Sequence, residues 1–144
     1  MSDRPPRSYH EGAPSTARIV GVADPERRPV LAFGNLEIRP DELQALAGGI
    51  RVGLTVREFQ VLMVLARRED HVVRRTDIYD QVWGGTMKQR DRSVDVFVRK
   101  VRTKLARAAP DWTYIHTHFG IGYRFAAVAL GEEMAAGEAV DRKM

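Results

Sequence analysis

Cysteine is absent from the 144 residues, so disulfides, thiolate metal sites and a cysteine nucleophile are excluded. No apolar run approaches the ~20 residues that a membrane helix needs, and the opening MSDRPPRSYHEGAPS lacks the apolar stretch of a secretory signal. A soluble, cytoplasmic protein without a membrane partner is expected. Also missing are a Walker loop, a nucleophile elbow and a paired-carboxylate signature. Gly120-Ile121-Gly122 is too short for a dinucleotide fingerprint and precedes a strand, not a helix. His116 and His118 share a strand face at a spacing metals can use. No acidic residue lies near them, however, and the other histidines, His10 and His71, are distant in sequence. Neither an enzyme nor a metal or cofactor site is expected. The length is about one domain's worth, too short for a multi-domain enzyme.

What is present is a hydrophobic share of 44%, enough for a core, and a net charge of +4 that is unevenly placed. Lys88, Arg90, Arg92, Arg99, Lys100, Arg102, Lys104 and Arg107 face only Asp91 and Asp95 within one twenty-residue segment. A focused basic field of this kind attracts polyanions. Arginine outnumbers lysine 19 to 4, which suits bidentate contact with phosphate and guanine, although a GC-rich genome enriches arginine equally well.

Residues 1–29 hold five of the seven prolines and read as a tail, as do residues 131–144. The domain is expected over residues 30–130. Between Val30 and Leu54, short alternating runs are split by Gly34-Asn35, Pro40-Asp41 and Gly48-Gly49, which predicts an antiparallel meander of three or four strands. Thr55-Val56-Arg57-Glu58 is a capping box, followed by the helical seam Phe59, Leu62, Met63 and Ala66. After the extended connection His71-Val72-Val73, a second helix over roughly Arg75 to Val82 ends at Trp83-Gly84-Gly85. A charged loop, Thr86 to Asp91, leads to a third helix from Arg92 to about Ala106, with Val94, Val98, Val101 and Leu105 as one apolar stripe. Pro110 ends the helical region, and Tyr114–Phe119, Gly120–Gly122 and Tyr123–Phe125 read as strand, tip and strand.

The third helix would be roughly 22 Å long, dry on one side and basic on the other, as a helix entering the major groove must be. Val96 on the basic side matters, because a thymine methyl would contact a β-branched aliphatic there. A short helix pair before such a helix and a hairpin after it make an α+β winged helix-turn-helix.

The strings Leu54-Thr55-x-x-Glu58-Phe59-x-x-Leu62, Val82-Trp83-Gly84, Arg92 through Leu105 and Gly120-Ile121-Gly122-Tyr123-Arg124-Phe125 resemble the OmpR/PhoB-type DNA-binding domains of bacterial response regulators. The resemblance covers roughly Val30 to Ala126. It implies a transcription regulator that binds double-stranded DNA. Arg92, Ser93, Val96, Phe97, Arg99, Lys100, Arg102 and Lys104 would then supply groove and phosphate contacts. Lys100 stands where a base-reading Arg is frequent. Trp83, Thr117 and Tyr123 resemble backbone contacts, with His118 and Phe119 at the wing. Gly85, Thr86, Met87, Lys88, Gln89 and Arg90 resemble a segment that touches RNA polymerase in activating members. Head-to-tail dimers on direct repeats, and a place on the nucleoid, also follow from the resemblance.

Three departures stand out. Residues 1–29 offer no counterpart of the receiver domain and its phosphoacceptor, so a stand-alone member is expected. Phe119 replaces the Arg that usually precedes the first wing glycine. The ring is expected to fold back on Ile115 or Tyr123, the other fate being a wedge between bases, and a protonated His118 could partly replace the lost cation. Arg74 stands where a Ser tends to cap the second helix. The competing reading is a winged helix that docks on RNA polymerase without reading DNA, favoured by the lost wing Arg and disfavoured by the basic face.

Overall fold

The computed structural model describes residues 18–20 and 30–131. Period-2 patterning builds a five-stranded antiparallel meander in chain order: β1 (Arg18–Val20), β2 (Val30–Phe33), β3 (Leu36–Arg39), β4 (Gln44–Ala47) and β5 (Ile50–Val52). Leu36 pairs with Ala47 and Ile38 with Ala45, so one face carries the buried apolar set while Glu37, Arg39 and Gln44 point outward. The count exceeds the three or four strands expected, because β1 lies inside the proline-rich segment read as a tail. Arg18–Val20 contains no proline, so its amides can pair with the open edge of β2. The C-terminal tail reading falls on residues 132–144, outside the described residues.

Helix α1 (Val56–Ala66) starts on the capping box expected from its sequence. The Thr55 hydroxyl accepts from the Glu58 amide at 3.2 Å, and Glu58 Oε1 accepts from the Thr55 amide at 2.9 Å. The apolar seam is wider than four residues. Every residue from Val61 to Ala66 is buried, because α1 has the other two helices and the C-terminal hairpin packed around it. Strand β6 (Val72–Arg74) leads into α2 (Arg75–Val82), whose N-cap residue Arg74 makes no side-chain cap. Helix α3 (Ser93–Ala108) and the hairpin β7 (Trp112–His118) and β8 (Gly122–Ala129) are the last of these elements among the described residues. The extended connection becomes the third strand of the wing sheet, in the order β6-β8-β7. The fold is the expected α+β winged helix-turn-helix.

Aromatic rings join the two sheets. Phe125 of β8 meets Phe33 of β2 edge-on at 4.9 Å and faces Tyr114 at 6.1 Å. Two glycines are obligatory here. Gly34 has a φ of 59° and lies under the Trp112 ring, and Gly122 lies against the Val73 carbonyl, so that a Cβ at either would clash.

Replacing Thr55 with Ala removes the α1 cap and should cost roughly 1 kcal/mol, lowering the melting temperature by about 4–8 °C. Calorimetry checks this. An unchanged transition would show that Glu58 is held without Thr55.

Candidate nucleic-acid interface

The loop after α2 has positive φ at Gly84 (81°), Gly85 (93°) and Arg90 (71°), and so turns the chain sharply before α3. Asp91 anchors the helix start, its Oδ1 accepting from the Ser93 amide at 2.8 Å. Bonds from the Ser93 hydroxyl and amide hold the Asp91 carboxyl below its ordinary pKa. Val94, Val98, Val101 and Leu105 are all buried, as the stripe predicts. At 100° per residue the opposite side carries Arg92, Val96, Arg99, Lys100 and Thr103, all exposed. Val96 is 40% exposed and the Arg92 side chain 72%.

The two flanks of α3 are occupied by internal contacts. On the wing side, Arg102 Nη1 donates to the Ile115 carbonyl and to Thr117 Oγ1, both at 3.0 Å. Tyr123 donates its hydroxyl to Asp95 Oδ1 at 2.6 Å. Burial first, then the bond to Asp95 and its charge, push the Tyr123 phenol up to about 12, so it remains a donor at neutral pH. Asp95 also meets Arg75 Nε at 3.3 Å and Arg92 Nε at 3.5 Å. On the other side, Lys104 Nζ donates to Glu58 Oε1 at 2.7 Å and to the Gly53 carbonyl at 2.9 Å. Burial alone would raise the Glu58 pKa. The bonds from Lys104 and the Thr55 amide outweigh it and leave the carboxyl below its ordinary value.

These contacts divide the expected set. Arg102 and Lys104 are half-buried and spend part of their donors on the wing and the α1 cap. Thr117 accepts from Arg102 and keeps its own hydroxyl hydrogen, whereas Tyr123 is buried with its hydroxyl donated to Asp95. Trp83 is half-buried, stacked on Tyr79 at 5.3 Å and meeting Phe97 edge-on at 5.4 Å. Phe97 lies on this flank, with Lys100 Nζ 5.0 Å above its ring. Ser93 is half-buried at the helix start.

At the wing, Ile115 and Tyr123 are already packed, leaving no hollow for the Phe119 ring, which stands 90% exposed. The expectation that it folds back is thus overturned. His118 Nε2 accepts from Arg124 Nε at 3.1 Å, so this ring nitrogen is engaged within the hairpin. His116 Nε2 lies 2.9 Å from the Ala126 carbonyl. Among the described residues no group of three His, Cys, Asp or Glu comes together.

The profile of the family described as "Transcriptional regulatory protein, C terminal" matches residues 49–125. The DNA-binding domain of RstA from Klebsiella pneumoniae, crystallised in complex with the RstA box, is 34% identical with a TM-score of 0.62, over 67% of this chain and 96% of its own. The DNA-binding domain of CpxR from E. coli is 28% identical with a TM-score of 0.63, over 70% and 99%. This chain belongs to that family, the OmpR/PhoB-type DNA-binding domains. It is a transcription-regulator domain and not an enzyme. The transcriptional regulatory protein SrrA of Staphylococcus aureus is 34% identical over 107 residues, 74% of this chain and 44% of its own length. The chain thus spans under half the length of the curated relatives it matches.

In this OmpR/PhoB-type domain, Asp95, Arg75 and Arg57 do structural work beside the exposed face of α3 that the sequence reading missed. Arg57 donates to the Val82 carbonyl at 2.7 Å, closing the C-terminal end of α2, and lies 5.3 Å from the Trp83 ring. Asp95 was visible as one of two acids in a basic segment, an oddity that a buried pairing role explains. For Arg57 no sequence signal existed, because its partner is 25 residues away.

Replacing Lys104 with Met should leave Glu58 buried without a cation and raise its pKa. Glu58, depressed in the folded wild type, contributes stability that is present above its unfolded pKa of about 4.5 and lost as pH falls through its folded value. The melting-temperature deficit of Lys104→Met should therefore be largest near pH 7 and shrink toward pH 3. A deficit constant with pH would assign the loss to the aliphatic stem.

Proposed function

We propose that this domain binds double-stranded DNA with α3 in the major groove, Val96 against a thymine methyl, Lys100 reading a base edge and Arg92 and Arg99 on phosphates. The observation that carries this reading is the sorting of α3. Of its cations, those on the face away from the core are exposed, while those on its flanks are bonded within the fold. Thr103 lies near the centre of the same face and Ser93 borders it. The hairpin β7–β8 would lie at the adjacent minor groove. Residues 30–130 would form the binding unit, extended at its edge by β1, with the rest of 1–29 and 131–144 as appendages.

RstA was crystallised in complex with the RstA box, which supports a specific duplex site as the partner here. Binding as a head-to-tail pair on direct repeats, action on the nucleoid in the cytoplasm, and contact of Gly85, Thr86, Met87, Lys88, Gln89 and Arg90 with RNA polymerase are parts of the same proposal. For the polymerase contact, the support is that Thr86 and Lys88 through Arg90 are exposed while Met87 anchors the loop on the core.

The test is affinity against salt on duplexes selected in vitro from a random pool. Wild type should lose affinity linearly in log–log form. Arg99→Ala should reduce that slope by about one unit on every sequence, whereas Arg102→Ala should lower thermal stability more than it changes the slope. Lys100→Ala should cost roughly 1–3 kcal/mol on the selected site and little on random DNA. A binding constant nearly independent of salt would instead favour an interaction module that docks on protein.

A further inference from the structure

The wing turn is apolar and open. Phe119 is 90% exposed and Ile121 55%, with Gly120 between them at a φ of 78° and the turn closed by the Ile121 amide donating to the His118 carbonyl at 2.9 Å. Other exposed large apolar side chains occur at Leu43, Ile50, Val56 and Val96, but nowhere else among the described residues do two flank one glycine at the end of a hairpin. We infer that Phe119, supported by Ile121, is a wedge that enters a base-pair step of the DNA minor groove and partly unstacks it. This deepens the DNA-binding reading above and rests on it.

Three observations select DNA as the occupant. The tip is keyed to α3: Arg102 holds Thr117 and the Ile115 carbonyl, and Asp95 holds Tyr123, which pairs with Thr117 across the hairpin. Phe119 lies two residues beyond Thr117, about 7 Å of extended chain. Whatever ligand α3 engages, the ring is carried to it in a set relation. Next, residues 112–129 contain no acidic side chain, and Arg124, beside His118, offsets Asp70 at 3.9 Å, so the hairpin's own strands carry no negative charge to repel a polyanion. Finally, the apolar area is small. A stable protein–protein interface buries on the order of 1,000 Å² or more, far above what two side chains on a turn supply, whereas one ring matches the flat face of a base pair. Without a cation at the tip, entry cannot be driven by the groove's negative potential. Selection should fall instead on how easily a step opens, which favours pyrimidine–purine steps.

The experiment uses the full chain and a duplex recovered by in vitro selection, with 2-aminopurine at each candidate step and a donor–acceptor pair at its ends. Wild type should raise 2-aminopurine fluorescence at one step and bend the duplex. Phe119→Ala should abolish both, melt within about 1 °C of wild type because the ring is out of the core, and lower affinity roughly tenfold. Replacing the opened step by a stiff A-tract should weaken wild type by a similar factor and leave Phe119→Ala nearly unaffected. Wild-type binding with no fluorescence change, or a Phe119→Ala variant that still bends the duplex, overturns the wedge and leaves the DNA-binding reading standing. Failure of wild type to bind any selected duplex overturns both. Loss of self-association in Phe119→Ala, read by ultracentrifugation with bending intact, overturns the wedge in favour of a protein contact.

Discussion

Burial of Val94, Val98, Val101 and Leu105 decides the orientation of α3, and much else depends on that orientation. Four aliphatic side chains within about 60° of arc turn the helix so that the arc centred on Val96 and Thr103 has nothing to pack against. The same rotation brings Asp95 and Arg102 to the hairpin and Phe97 and Lys104 to α1 and the end of α2. A one-residue slip of the stripe would turn the helix by about 100°, burying cations and breaking both sets of flank contacts together. The core thus sets not only stability but the chemical identity of the outer face.

The charge of the basic segment is divided by this geometry. Lys104 neutralises a buried carboxylate at the α1 cap, and Arg102 ties two segments of β7 to the helix. Arg92 shares Asp95 with Arg75 yet keeps most of its surface in water. A sum over the segment therefore overstates the charge available to a ligand. The cations differ in function because of their angular position and not because of their type.

Patterns of short range were legible from sequence. The capping box, the α2 boundaries, the four-residue stripe and the exposure of Val96 depend on spacing within one element, and all were read correctly. Contacts between elements were not. Glu58 and Lys104 are 46 residues apart, and no local pattern relates them. The role of Val72-Val73 as a sheet strand was missed because β8, its partner, is 50 residues further on. Phe119 failed for a different reason: the general rule that aromatic rings find cover gives way where the neighbouring hollows are already filled.

Gly122 has a consequence for how the wing can change in length. Its Cα lies against the backbone of β6, at a separation that admits no Cβ, so β8 is clamped between β6 and β7 from its first residue and the paired strands cannot lengthen there without unseating the connection to α2. A change in length is therefore easiest at the three turn residues between His118 and Gly122, where the tip can differ in reach while the frame that aims it stays the same.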